Sequence, residues 1–360
     1  MSPRTKPLYR IDKAQLELLE ELTNANSVSG NEIEIREMIR KKVSPYADEI
    51  RVDGMGNLLV IKHAKKPNAF KVMLDAHMDE VGFMIVEEDG DGLYEFEQVG
   101  GGDERQFVSK PVSVGSQKLP GVIGSKPIHL AEDDEIHTVI SQKSMRIDLG
   151  PEGKGKAKRG DFVAYATKFM RSGDAIFAKA LDNRLGCATL IELLKSAPDH
   201  IELLAAFTVQ EEIGLRGAMV AAYDFYPQLA IAVDSTPALD FARPDGNENT
   251  QYNCKLGGGP AIYLADRGTL SDPRLIRFLT RIAEENHIPY QYRQPGGGGT
   301  DAGALQLTRG GVPSVSVSVP GRYAHTAVML ARISDWQNTI NLLQQTLAAI
   351  TPKILSGDRA

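Results

Sequence analysis

Three short apolar runs in this chain break off on an acid or a histidine. Val72-Met73-Leu74 gives way to Asp75 and His77, residues 203–209 to Glu211, and residues 229–233 to Asp234. Each run is strand-sized and almost continuously apolar, so it has no polar face to turn to water. Such a strand has to be covered on both sides, as inside a mainly parallel sheet with helices above and below. Helical spacing falls where that arrangement needs it. Leu16, Leu18, Leu19 and Leu22 make one stripe within residues 11–24, and Ser29-Gly30-Asn31-Glu32 interrupts the chain before a second amphipathic segment. Further helices are predicted at residues 180–196, 215–223, 272–286, 301–308 and 334–350. The pattern predicts an α/β fold, a mixed and mainly parallel sheet flanked by helices.

The middle of the chain is built differently. From about residue 81 to 176, Gly90-Asp91-Gly92, Gly100-Gly101-Gly102, Pro120-Gly121 and Gly150-Pro151 punctuate short β-patterned runs. We expect a β-barrel-like insertion between two sheet strands. The predicted division is a discontinuous catalytic domain of residues 1–79 and 176–360, with a β-rich domain of residues 80–175 inserted.

Composition removes several functions. A net charge of -6 with no long basic block disfavours a nucleic-acid binder. No stretch approaches the ~18 unbroken apolar residues of a membrane span, and residues 1–30 lack the apolar core of a secretory signal. Cys187 and Cys254 stand far apart with no second thiol in metal or redox spacing, which fits a reducing compartment. The expectation is a soluble, cytoplasmic protein.

In an open parallel sheet, ligands bind beyond the carboxyl ends of the strands, where the loops converge. His77 and Asp79, the pair Glu211-Glu212, and Asp234 all follow strand-like runs; Asp182 heads a helix in Ala180-Leu181-Asp182-Asn183-Arg184, and His325 follows the strand predicted at 314–319. Any one of these is ordinarily a cap or a surface acid. Together they can reach one rim. Two imidazoles and three carboxylates, one shared, would serve two divalent metals and suit zinc or cobalt better than calcium or magnesium. Metals ~3.5 to 4 Å apart polarise a carbonyl and acidify a bridging water. Glu211 and Glu212 are neighbours whose side chains diverge, so one can bind metal while the other moves protons. His77 and Asp79 share a face at i and i+2, which lets Asp79 fix the imidazole tautomer.

These motifs resemble the glutamyl, deblocking and tetrahedral aminopeptidase family of dinuclear metallopeptidases. The resemblance runs through Ser29-Gly30-Asn31-Glu32, Ala76-His77-Met78-Asp79-Glu80-Val81-Gly82-Phe83, Ala180-Leu181-Asp182-Asn183-Arg184, Gln210-Glu211-Glu212-Ile213-Gly214-Leu215-Arg216-Gly217-Ala218, Gly299-Thr300-Asp301-Ala302-Gly303 and Arg322-Tyr323-Ala324-His325, in order over nearly the whole chain. It implies a zinc-aminopeptidase-like fold and two divalent metal ions per subunit, zinc or cobalt. Asp182 would bridge them, with His77 and Glu212 completing one site and Asp234 and His325 the other. It implies Glu211 as general base and Asp79 as the residue orienting His77. It also implies short peptide substrates, and dimers formed through the inserted domain that assemble into a homododecamer.

Two departures stand out. Asp75 occupies a position where a small neutral residue is expected, on the ligand side of its strand, and Gly257-Gly258-Gly259 lacks a basic residue. Arg267 is the candidate for binding an acidic first residue. The glycine-rich segment from Pro295 to Gly299 lacks the Gly-Lys-Ser/Thr of a phosphate loop. A metal-dependent amidase or deacylase, or a glycan hydrolase on small substrates, is the alternative activity.

Overall fold

The computed structural model describes residues 8–247 and 249–359, so the first seven residues of the segment read for a signal lie outside it. Strands β1 (Glu49–Val52), β2 (Leu58–Lys62) and β3 (Phe70–His77) open the main sheet. Next come β4 (Gly82–Gly90), β5 (Leu93–Val99), β6 (Pro111–Val114), β7 (Leu119–Gly124), β8 (Arg146–Asp148) and β9 (Phe162–Tyr165). The chain returns through β10 (Met170–Ser172) and β11 (Ala175–Ala178) to β12 (Ile201–Thr208), β13 (Leu229–Pro237), β14 (Ala261–Tyr263), β15 (Gln291–Arg293), β16 (Ser314–Arg322) and β17 (Met329–Arg332). The helices are α1 (Lys13–Asn24), α2 (Ile33–Val43), the one-turn α3 (Asp133–Ile136), α4 (Leu181–Lys195), α5 (Arg216–Phe225), α6 (Pro273–Glu285), the one-turn α7 (Ala302–Leu305) and α8 (Ile333–Ala349).

The three apolar runs lie in adjacent strands. The main sheet has the order β1-β2-β12-β3-β13-β16-β17-β11-β10, with β14 and β15 branching from β16. Its centre, β12, β3, β13 and β16, is parallel, and the outer pairs are antiparallel. Alternate residues of the central strands feed two separate cores, as a doubly covered sheet requires. Val72, Leu74, Leu203 and Val233 pack with Leu185, Trp336 and Leu343 of α4 and α8 on one side. Met73, Leu204, Ala206 and Ala232 pack with Ala218, Ala221 and Phe225 of α5 and with Leu305 of α7 on the other. The mixed α/β sheet flanked by helices is therefore the observed architecture.

Strands β4 to β9 close into a six-stranded antiparallel barrel with the order β4-β5-β8-β7-β6-β9. Phe83 is its hub, meeting Phe96, Phe107 and Tyr165 edge-on at centroid distances of 5.1, 5.0 and 5.4 Å. The chain leaves the main sheet just after His77, and β10 and β11, although inside the turn-rich stretch, pair within the main sheet. A buried ionic cluster ties the two crossings together. Lys179 Nζ donates to both oxygens of Glu80 at 2.7 Å and to Ala25 O at 2.6 Å. Arg184 donates to Leu22 O at 3.0 Å, to Ser27 Oγ at 3.1 Å and to Met78 O. The segments carrying Asp79 and Asp182 are thus anchored to the same charges.

The helix expected at 301–308 shrinks to one turn: after Leu305 the chain continues in tight i→i+3 turns and then passes through a left-handed Arg309 into Gly310-Gly311. Among the described residues, no helix is long and apolar enough to cross a membrane.

Candidate active site

Parallel pairing places the ends of the central strands side by side. His77, the last residue of β3, is in register with Thr208 on β12, and β13 on the other flank carries Asp234. His77 Nε2 lies 3.4 Å from Asp234 Oδ1 and 3.3 Å from Asp182 Oδ1. The other Asp182 oxygen, Oδ2, is 3.6 Å from His325 Nε2, which is also 3.1 Å from Glu212 Oε2. Asp182 is the second residue of α4, where the backbone is not yet helical, and its peptide bond to Asn183 is cis. His325 is reached through a turn with positive φ at Tyr323 and His325 itself. Gly101 of the barrel comes so close that a Cβ there would sit 3.0 Å from His325 Nδ1. The five expected ligands and Glu211 therefore share one cavity of ≈ 690 Å³, on whose wall Arg267 also lies.

Asp79 is buried beneath them. Its Oδ1 is 3.5 Å from His77 Nδ1 and accepts the backbone N–H of Glu211 at 3.0 Å; its Oδ2 accepts Ser29 Oγ at 2.6 Å and the N–H of Glu212 at 3.2 Å. Burial alone would push the Asp79 carboxyl up, but these donors and the His77 imidazole hold it below its ordinary value. Burial likewise opposes a charged His77, yet the carboxylate of Glu211 and contacts with Asp182, Asp234 and Asp79 raise its pKa well above the ordinary value. Glu211 and Glu212 are both pushed well up, first by burial and then by neighbouring acids, and burial puts Asp234 at about 6. Acids crowded this tightly call for positive charge.

The donor chemistry passes that test for divalent cations. Three groups offer ligand atoms within 4.8 Å of one another: His77 with Asp182 and Asp234, Asp182 with Glu212 and His325, and His77 with Glu211 and Glu212. Mixed imidazole and carboxylate triads of this kind suit zinc-like ions. The family decides what they serve. The M42 glutamyl aminopeptidase family matches residues 56–342.

The chain belongs to the M42 family.

A lysyl aminopeptidase of Pyrococcus furiosus is 33% identical over 348 residues, covering 93% of this chain and 97% of the relative. A glutamyl aminopeptidase of Lactococcus lactis is 32% identical over 343 residues, covering 91% of this chain and 94% of the relative. Among solved structures, the TET1 peptidase of Pyrococcus horikoshii, which assembles into a tetrahedron or a large octahedral shell, superposes with a TM-score of 0.80. It is 33% identical and covers 92% of this chain and 98% of its own. This M42 chain is an aminopeptidase, a hydrolase acting on peptides, and peptidases of its family are metal-dependent.

The side chains that lie nearest one another in this M42 chain are not grouped as the resemblance implied. His77 falls with Asp234, and His325 with Glu212. The cause is strand order, since β13 is the immediate neighbour of β3, whereas His325 turns back over the Glu211-Glu212 loop. Asp75 is fully buried. Its pKa is raised well above the ordinary value by burial and by Asp301, whose Oδ2 accepts Thr208 Oγ1 at 2.7 Å. That partner was not foreseen, nor was Arg293, which lines the cavity beside Tyr263. The alternation Tyr290-Gln291-Tyr292-Arg293 was the signal available for a strand there.

Proposed function

We propose that this M42 aminopeptidase releases N-terminal residues from short peptides at a two-cation centre in which Asp182 is the shared ligand. His77 and Asp234 would complete one site, and Glu212 and His325 the other. The observation that carries the reading is the stance of Asp182, whose two oxygens lie toward different imidazoles at 3.3 and 3.6 Å. A pair of zinc or cobalt ions in that setting would polarise the scissile carbonyl and acidify water.

The remaining work falls to the chain itself. Glu211 is the general base. Its carboxylate receives the proton of the attacking water and returns it to the leaving nitrogen. Asp79 is a positioning residue: it orients His77 and, through the backbone N–H of Glu211, holds the base over the same site. Arg267, exposed on the cavity wall, offers positive charge to the substrate.

We assign the catalytic domain to residues 1–79 and 176–360 together with β10, which pairs in the main sheet, and to the barrel strands within the inserted residues 80–175 the role of dimerisation. Six such dimers would build a homododecamer in the cytoplasm, like the tetrahedral particle of the Pyrococcus horikoshii relative. A closed particle would admit short peptides and exclude folded proteins.

The Glu211→Gln variant tests the assignment of the base. It should keep its metal and lose ~10² to 10⁴ in kcat on aminoacyl anilides, the usual contribution of a positioned base. Undiminished kcat with metal retained would remove Glu211 from that role.

A further inference from the structure

Arg293 ends β15 with only 6% of its surface exposed. Its guanidinium sits 5.0 Å from the centroid of the Tyr263 ring, and both residues line the cavity that holds His77, Asp182, Asp234 and His325. Nη1 donates to Gln294 O and Nη2 to Gly297 O, each at 2.7 Å. Nε is buried with no partner at all.

A guanidinium has five N–H donors and keeps its charge at any pH the fold survives. Two backbone carbonyls satisfy part of the donor set and none of the charge. The other fully buried arginine among the described residues, Arg184, is neutralised by Glu80, and the partly buried Arg274 and Arg322 by Asp272 and Asp240. Arg293 has no carboxylate partner among the described residues. A buried charge without a counter-ion is costly unless something else supplies one, and here the charge borders a substrate cavity. Asp182, Glu212 and Asp234 line the same cavity, which therefore carries both signs of charge and can take a substrate that has both an amine and an anion. The face of Tyr263 fixes the guanidinium by cation–π contact, and Arg267 adds exposed positive charge on the same side.

We propose that Arg293 is a specificity-determining residue that receives a carboxylate of the substrate. That group is either the side chain of an acidic first residue or the C-terminal carboxylate of a dipeptide. The proposal rests on the aminopeptidase site described above.

Two substrate pairs separate the sources: glutamyl- against glutaminyl-4-nitroanilide, and leucyl-leucine against leucyl-leucinamide. The native enzyme should favour the carboxylate member of at least one pair tenfold or more in kcat/KM. Arg293→Gln should collapse that ratio at least tenfold, mainly through KM, and Arg293→Lys should restore part of it. Each ratio is taken within one protein, so a smaller folded fraction cancels. Ratios equal in the native enzyme and Arg293→Gln overturn the proposal.

If the native protein hydrolyses none of the four, the aminopeptidase reading of the site fails by itself. Calorimetric titration with L-glutamate and L-glutamine, and with the two leucyl compounds, then decides the role of Arg293. Tighter binding of a carboxylate member that disappears in Arg293→Gln upholds it, and equal binding overturns it.

Discussion

The carboxylate of Asp79 accepts the backbone N–H of Glu211 at 3.0 Å. One buried acid, tied also to Ser29 Oγ and the His77 ring, thereby couples a metal-competent histidine to the glutamate beside it. Replacing Asp79 by Asn keeps the shape but weakens the hold on both. We expect metal affinity to fall by ~10- to 100-fold, the usual effect of losing the partner of a ligating histidine, and kcat to fall as well even at saturating metal. Chelator competition followed by assay in excess zinc or cobalt separates the two losses.

His325 is 45% exposed at its side chain and belongs to only one of the triads built around Asp182. His325→Ala should therefore fold normally and bind about one metal ion fewer per chain, a change that elemental analysis reads directly. An unchanged metal count would place His325 outside the site.

The cluster of Lys179, Glu80 and Arg184 lies under the crossing between sheet and barrel, with Lys179 and Glu80 each 2% exposed. Lys179→Met leaves a geometry with one buried cation removed and Arg184 to hold Glu80 alone. We expect a loss of about 3 to 5 kcal/mol in unfolding free energy, measured by denaturant titration, whereas breaking the exposed pair of Lys65 and Asp199 should cost less than about 1 kcal/mol.

Acid should act through Asp174. Burial pushes this carboxyl up, but Ser334 Oγ at 2.7 Å, Ser334 N at 3.0 Å and Arg332 Nε at 2.7 Å bring it below its ordinary 3.8. The folded chain then binds that proton more weakly than the unfolded chain does. The stabilisation is complete above 3.8 and is lost as pH falls through the lower folded value. Asp174→Asn should be less stable than the native chain at pH 7, with the gap closing at low pH.

Much of this site was readable before any coordinates. His77, Glu211 and Asp234 stood at the ends of runs too apolar for anything but doubly covered strands, and parallel strands bring such ends to one edge. Which candidate side chain faces which was not readable, because that depends on β13 lying next to β3 and on left-handed turns at Tyr323 and His325. Asp301 meets Asp75 through packing of residues far apart in sequence, and Arg293 meets Tyr263 because the short strands β14 and β15 pair with these two residues in register. The one-turn α7 was overextended since the apolar pattern continues through Leu307, while the backbone tightens into i→i+3 turns after Leu305.

The proposed two-cation centre depends most on Asp182 serving both ions at once. Elemental analysis of the metal-loaded native chain and of Asp182→Ala, both after exhaustive dialysis, tests this. We predict about two zinc or cobalt ions per native chain and almost none in the variant. A variant that keeps its full complement of metal while staying folded would contradict it.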